Sequence, residues 1–467
     1  MLYRNDSVRD IRLAYIGGGS RGWAWTFMTD LALEPSLGGE IRLYDIDRQA
    51  AEANEIIGNR LEGRPEVTGR WRYRVADSLR EALTGADFVV ISILPGTFDE
   101  MEADVHLPER LGIWQSVGDT AGPGGIFRAL RTLPMYLPIA RGIRAWCPDA
   151  WVINYTNPMA LCVRLLYRES PEIKAFGCCH EVFGTQELLA AMVGEQLGIP
   201  APPRQEIHVN VLGLNHFTWF NEASWKGLDL FPMYRDFVDR YYETGYQEEG
   251  RNWMNSSFDC AHRVKFDLFR RFGAIAAAGD RHLAEFMPGD EYLADPETVK
   301  AWKFGLTPVS WRKEDLKQRL EKSRRLARGE QEVELTPSGE EGIRLIRALA
   351  GLDRMVSNVN VPNRGQIPNL PLGTVVETNA VFARDSIKPL LAGPLPEQLR
   401  TLMLPHVEIQ DLSLRAALCC DREAVLEALL LDPNTRAKCR DREALAQLTE
   451  DMLAAAAAYL PEGWGLR

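Results

Sequence analysis

Apolar positions along the chain follow two rhythms. In the first part they come as short unbroken runs, at residues 11–16, 41–44, 86–93 and 151–155. Runs of this length, bounded by turn residues, predict strands buried on both faces, as in a parallel sheet covered by helices. The stretch after Gly22 to about Leu33 is apolar with helical character. Later segments at 312–328, 394–404, 422–431 and 441–459 carry helix-like spacing, the first of them highly charged. The pattern predicts an α/β protein. A Rossmann-like doubly wound sheet is expected over residues 9–203, followed by a mixed α+β region over 204–467.

The break after the first run refines this picture. Gly17, Gly19 and Gly22 spell G-x-G-x-x-G, with Ser20 inside the turn, between a strand and a helix. Such glycines allow a tight turn and a close backbone approach to a pyrophosphate, which the helix N-terminus then faces. The second strand ends in Asp45-Ile46-Asp47, where a carboxylate meets ribose hydroxyls and disfavours the 2′-phosphate of NADP. NAD is therefore expected, with Asp45 ahead of Asp47. In doubly wound sheets ligands lie beyond the carboxyl ends of strands, so residues 92–96 and 154–158, including Asn154, should line the crevice.

Composition narrows the partners. At 467 residues, with 46% hydrophobic and 25% charged side chains, the chain has the make-up of an ordinary globular protein large enough for two packed domains. A net charge of −11 argues against nucleic acid or an anionic membrane as partner. No apolar run reaches the roughly 18 residues a membrane span requires, and the first residues lack a signal-peptide core, so a cytoplasmic location is expected. The eight cysteines show no disulfide-scaffold spacing.

Two of those cysteines stand where chemistry concentrates. Cys178-Cys179-His180-Glu181 puts thiol, imidazole and carboxylate side by side. A thiolate among nitrogen and oxygen donors can hold a divalent transition metal, given a further ligand such as His216 in Leu214-Asn215-His216. The plainer alternative is a pair of buried cysteines ending a strand. The glycine-dense segment 118–125, with Asp119, is either a simple connection or a substrate-facing loop.

Taken in order, the glycine loop, Asn154-Tyr155-Thr156-Asn157-Pro158, Cys179-His180-Glu181-Val182, Gly213-Leu214-Asn215-His216 and the segment from Val361 to Glu377 resemble glycoside hydrolase family 4 along the whole chain. Cys-His-Glu-Val is similar to its α-galacturonidase branch. The resemblance implies NAD and Mn²⁺ or another divalent metal as cofactors, an exception to the usual carboxylate pair. It implies oxidation at C3 of an α-galacturonide, loss of the C2 proton, elimination and water addition, in the setting of pectin degradation. A related α-glucuronidase or α-galactosidase is the nearest alternative, and a lactate- or malate-type dehydrogenase is the alternative of another class. Carried over by position, Cys179 and His216 become metal ligands and Cys178 becomes packing. Asn157 contacts sugar hydroxyls, while His180 and Glu181 face the substrate; Asp119 is a substrate-facing candidate from its glycine-dense loop alone, not from the resemblance. The tyrosine that serves as C2 base in the phosphoglycosidase branch is missing from residues 273–286, which leaves Asp280 for that role with His282 second. The acidic residues 98–102 speak against a phosphosugar. A uronate still needs a cation, with Arg281 and Arg364 as candidates. The family resemblance also implies a homodimer or homotetramer.

Overall fold

All four apolar runs are strands in the computed structural model, which describes residues 1–247, 253–254, 256 and 258–466. A short arm, β1 (Leu2–Arg4), turns antiparallel into β2 (Ser7–Ile16). Five more strands join β2 in parallel: β3 (Leu37–Tyr44), β4 (Arg70–Val75), β5 (Phe88–Ile91), β6 (Trp151–Asn154) and β7 (Lys174–Gly177). Their spatial order is β4-β3-β2-β5-β6-β7. The direction of winding reverses between β2 and β5, which opens a crevice at their carboxyl ends.

Alternate residues of these strands feed two cores. Leu13 and Tyr15, with Phe88, Val90 and Ile153, pack against the helices Trp23–Leu33 and Gly342–Leu349. Ala14 and Ile16, with Val89, Ile91 and Val152, face the long helix Gly122–Trp146. With both faces covered, every position of β5 and β6 is buried, which is why these strands read as unbroken apolar runs. Each fully buried Val, Leu or Ile side chain contributes about 1.5–3 kcal/mol.

The later chain returns to the same sheet. The strands β8 (Ile207–Leu214), β9 (Phe217–Trp225), β10 (Leu228–Asp229) and β11 (Ile275–Ala276) form a separate small sheet. Next come β12 (Met355–Pro362), β13 (Val375–Ala383) and β14 (Ser386–Pro389), which extend the large sheet antiparallel beyond β7. Contact is made where Asn360 pairs with Gly177. A Cβ at Gly177 would stand 2.6 Å from Met159 and 2.9 Å from the Asn360 Cβ, so glycine is what lets β12 close on β7. The closing helices Glu397–Cys419, Arg422–Leu431 and Arg442–Ala456 form a layer over the helix Gly122–Trp146, sharing its core through Leu414, Val425, Leu429, Leu448 and Met452. That helix starts at Gly122, inside the glycine-dense stretch expected to be a loop. Among the described residues no helix is long and apolar enough to cross a membrane.

Candidate active site

At the end of β2 the glycine turn is built for close approach. Gly17 has φ +93°, and a Cβ there would lie 1.9 Å from the Ser92 carbonyl oxygen. At Gly19 a Cβ would meet the Ala50 Cβ at 2.7 Å. Gly17 and Gly18 donate their N–H groups to the Tyr44 carbonyl, and Ser20 donates to that of Gly17. Gly22 ends the turn as N-cap of the helix Trp23–Leu33, whose first turn has neither a side-chain cap nor an acid. Its open amides are a ready anion site.

Asp45 closes the turn from the second strand. Its carboxylate accepts from Gly19 N (2.8 Å) and Asp47 N (2.9 Å). Burial raises its pKa, opposed by those two amides. Asp47 is spent elsewhere, capping the helix Arg48–Asn59 and pairing with Arg21 at 3.1 Å. A residue the sequence reading missed holds the turn in shape. Asn54, fully buried, donates to the carbonyls of Gly18 (2.8 Å) and Ser20 (3.0 Å) and accepts from Trp25 Nε1 (2.9 Å). An amide on the apolar face of an amphipathic helix was the available signal.

Asn154 at the end of β6 does not open into the crevice. Its side chain is fully buried, taking Tyr136 Oη (2.6 Å) and Thr156 N (2.9 Å) on Oδ1 and giving Nδ2 to the Thr156 carbonyl. It shapes the turn that carries Asn157. There, Asn157 donates to Asp119 at 3.3 Å, and its Oδ1 is buried with no protein partner.

The loop before the helix Gly122–Trp146, the hairpin tip between β8 and β9 and the helix Asp280–Phe286 converge on one cluster. The donor atoms of Asp119, His216 and His282 all lie within 4.8 Å of one another. The two rings stand 3.8 Å apart, centroid to centroid. His216 takes a left-handed conformation, φ 64°, at the hairpin tip. For a side chain with a Cβ that conformation carries strain, which recurs where function demands it.

Thr120 fixes the imidazole. Its single hydroxyl proton goes to Asp119 Oδ1 (2.7 Å), so at 2.9 Å the same oxygen accepts from His216 Nδ1. The proton then resides on Nδ1 and the Nε2 lone pair is free for a ligand. Burial lowers the His216 pKa to about 3, aided by the neighbouring His282 and opposed by Asp119 and Glu181, so the ring is neutral. Burial would raise Asp119, but Arg128, His282, His216 and the Thr120 bond outweigh it and hold the carboxyl well below its usual range. A carboxylate beside two imidazoles, that of His216 neutral, is a donor set for a divalent transition cation. The buried, unpartnered His282 Nδ1, Asn157 Oδ1 and Asn215 Oδ1 fit a site that receives ligands.

Cys179 stands outside the cluster of three. It is buried just past the end of β7, its carbonyl accepting from Asn358 Nδ2 (3.0 Å). Burial raises its pKa, with Glu377 and Glu181 adding to the effect. An adjacent cation would reverse that shift. Glu377 is itself buried between Asn215 (3.1 Å) and Asn358 (2.6 Å), with its pKa raised by burial to about 7. Cys178 packs into the sheet core as expected.

Glu181 opens the helix Glu181–Leu197 and faces the cluster, 3.6 Å from His282 Nε2, while Gly279 N donates to it at 2.9 Å. Burial opposes its ionisation, but the three histidines His282, His216 and His180 bring its pKa down to about 2. His180 points to a more open rim, with half its side chain exposed, 3.5 Å from Glu340 and against Trp23.

Asp280 departs from the role expected of it. It is fully buried and accepts the backbone N–H groups of Val264 (3.2 Å) and Lys265 (3.1 Å), anchoring the helix Arg263–Phe272. The buried Lys265 ammonium faces the same carboxylate. Each oxygen serves a backbone amide, so Asp280 is a structural anion rather than a base open to substrate. Arg281 is buried as well, bonded to Ser116 O (2.5 Å), Gly305 O (3.1 Å) and Thr307 Oγ1 (2.9 Å). Arg364 is an exposed residue near Tyr167, on the helix Met159–Glu169.

Comparison with known proteins agrees with this geometry. Residues 12–195 match the family model described as Family 4 glycosyl hydrolase, and residues 211–435 match that family's C-terminal domain. The chain is 60% identical over 467 residues to an α-galacturonidase of Lachnoclostridium phytofermentans, covering all of both. It is 51% identical to an α-galacturonidase of Bacillus subtilis, covering 97% of this chain and 99% of that protein. An α-galactosidase of B. subtilis is 31% identical, covering 97% and 99%. Among solved structures, B. subtilis lplD superimposes with a TM-score of 0.91 at 51% identity, covering 96% of this chain and 100% of that one. A 6-phospho-α-glucosidase from gut microorganisms, solved with NAD and Mn²⁺, shares the fold at 20% identity with a TM-score of 0.76, covering 97% and 99%. The chain belongs to glycoside hydrolase family 4.

Proposed function

We propose that this protein is an α-galacturonidase that uses NAD and a divalent metal, Mn²⁺ by preference. The observation that carries the reading is a carboxylate–imidazole cluster in a chain whose strand β2 ends in a glycine turn shaped for a pyrophosphate. Identity of 51% or more to named α-galacturonidases across nearly the whole chain supports the substrate. When bound, the two groups supply reversible oxidation at C3 and Lewis-acid stabilisation of the C2 and C3 oxygens.

The chain's own residues do the rest. Gly17, Gly19, Ser20 and Gly22 receive the pyrophosphate, and Asp45 orients the ribose. His216 through Nε2, with Asp119 and Cys179, holds the metal. Asn157, donating to Asp119 and with Oδ1 unpartnered, orients a sugar hydroxyl. His282, paired with the ionised Glu181, takes the C2 proton in place of Asp280, because its Nδ1 is buried and unpartnered within the cluster. His180 at the open rim meets the leaving group. The residues up to 203 supply the nucleotide side and those from 204 onward supply His216 and His282, in a cytoplasmic homo-oligomer acting on pectin fragments.

The test is reconstitution. Protein stripped of metal and nucleotide is given α-linked galacturonides, then NAD⁺ and Mn²⁺ separately and together. Reducing sugar should appear only with both, without bulk NADH. Release with neither present would overturn the reading, and stoichiometric NADH would favour the dehydrogenase alternative.

A further inference from the structure

Among the described residues three arginines are buried, and two of them have carboxylate partners. Arg131 pairs with Asp104, their side chains 2% and 4% exposed, and Arg204 pairs with Glu341, 8% and 6% exposed. A buried cation without such a partner carries a large desolvation cost. Arg281 is 7% exposed, yet the three acceptors on its guanidinium, Ser116 O, Gly305 O and Thr307 Oγ1, are all neutral. Among the described residues it forms no ion pair. Arg312, in the first turn of the helix Val309–Arg328, forms none there either, and its Nε is buried without a hydrogen-bond partner. Both guanidinium carbons lie 5.2 Å from the Phe258 ring centroid. Arg128 completes the group, donating to the Asn157 carbonyl at 3.3 Å.

These cations border the cluster already described. Arg281, Arg128 and Asp119 all act electrostatically on Arg312, whose pKa is lowered by burial first and then by the two arginines. Asp119 is the acid they share. Glu285 adds little negative charge at neutral pH, since burial raises its pKa to about 8. Positive charge therefore exceeds negative on this wall. The adjacent Lys313 does not add to the excess, because Asp99 and Glu102 neutralise it. Arg281 is a fixed part of the wall, its bonds tying residues 116 and 305–307 together. Among the described residues the Arg312 side chain makes no hydrogen bond and no ion pair, and its Nε is buried.

We infer that Arg312 is the specificity residue that pairs with the C6 carboxylate of the bound galacturonide, with Arg281 and Arg128 as the fixed positive wall behind it. The inference rests on the α-galacturonide reading above. A planar guanidinium binds a planar carboxylate through two parallel hydrogen bonds, a match a lysine cannot make. With C2 and C3 at the metal cluster, C6 falls on the far edge of the same ring. Arg128 and Arg281 border the cluster, and Arg312 is reached from Arg281 across the Phe258 ring that both guanidinium groups flank. The geometry assigns the carboxylate to Arg312 in place of the exposed Arg364. Arg281 keeps a supporting part.

The experiment compares wild type, Arg312→Gln and Arg312→Lys on three substrates: an aryl α-galacturonide, its neutral methyl ester and the aryl α-galactoside. Arg312→Gln should lose about 10- to 100-fold in kcat/KM on the uronide, mainly through KM, as expected for a charge-assisted pair. It should change little on the two neutral substrates, so the preference for the acid collapses. Arg312→Lys should recover part of that preference. NAD affinity and thermal melting serve as fold controls. An unchanged ratio of acid to ester in Arg312→Gln would overturn the assignment, and if that variant does not fold, an unchanged ratio in Arg312→Lys would do so. Calorimetry with free galacturonate, on wild type and Arg312→Lys loaded with NAD and Mn²⁺, separates the two layers. Arg312-dependent binding without cleavage would sink the hydrolase reading alone, cleavage with an unchanged ratio would sink the clamp alone, and a wild type that neither binds nor cleaves would sink both.

Discussion

Replacing Thr120 with valine keeps the shape of the side chain and removes one hydroxyl. That hydroxyl joins two partners, giving its proton to Asp119 at 2.7 Å and accepting from His216 at 2.9 Å. The first bond is charge-assisted and is worth about 1.5–3 kcal/mol, the second about 1 kcal/mol. Nearly all of the second matters for metal binding, because without it either imidazole nitrogen can carry the proton. An even split of tautomers costs only about twofold, and the larger loss comes from a ring no longer held in its ligating orientation. Residues that orient a metal ligand in this way are worth about 10- to 100-fold in affinity, or roughly 1.4–2.7 kcal/mol. Mn²⁺ titrated into stripped protein, with free Mn²⁺ followed by electron paramagnetic resonance, should show that loss in Thr120→Val. Thr120→Ser, which keeps the hydroxyl, should bind within a few fold of wild type. Equal affinity in Thr120→Val and wild type would refute both the tautomer argument and the assignment of His216 Nε2 to the metal.

Further substitutions test other parts of the structure. Asn54→Ala removes the two bonds holding Gly18 and Ser20 and the acceptor of Trp25, so NAD affinity should fall about tenfold with a loss of about 2–3 kcal/mol in stability; unchanged affinity by fluorescence titration would show that the turn holds its shape unaided. Asp280→Asn should cost stability, because it strips the buried Lys265 of its counter-ion, while the fraction that folds keeps near-normal kcat. His282→Gln should do the reverse, abolishing turnover at little cost to melting temperature, and the opposite pairing of outcomes would restore Asp280 as base. Asp432, the buried N-cap of the helix Pro433–Lys438, has a pKa raised by burial from 3.8 to about 6. A raised acid favours the folded state below its unfolded pKa and loses that contribution as pH rises through the folded value. Asp432→Asn should therefore gain about 2–3 kcal/mol relative to wild type between pH 4 and pH 8, and a stability difference independent of pH would contradict this.

The parallel sheet and the glycine turn were legible because each rests on local signals. Apolar runs report strands buried on two faces, and Gly17 stands where a Cβ would collide with the Ser92 carbonyl. The return of β12–β14 to the edge of β7 was not legible, since its cause is a long-range fit between Gly177 and Asn360. Motif order singled out His216, the glycine-dense loop pointed to Asp119, and the structure brings both together with His282. Their tautomer depends on Thr120, which no spacing connects to His216, 96 residues away. The expectation for Asp280 came from its position along the chain, which cannot show which way a carboxylate faces. Packing turns it inward to the amides of Val264 and Lys265. Arg312 was overlooked because a charged helix reads as a solvated face. Only in three dimensions is its Arg312 seen to be partly buried and, among the described residues, without a carboxylate partner.

The route through an oxidised C3 differs from ordinary hydrolysis in breaking the bond between C2 and its hydrogen, a bond that direct displacement at C1 leaves intact. Hydrolysis of an α-galacturonide in D₂O, with NAD⁺ and Mn²⁺ present and the product read by NMR, measures this step. The account predicts galacturonate carrying deuterium at C2, with no net NADH. Product retaining its original hydrogen at C2 at full turnover would contradict it.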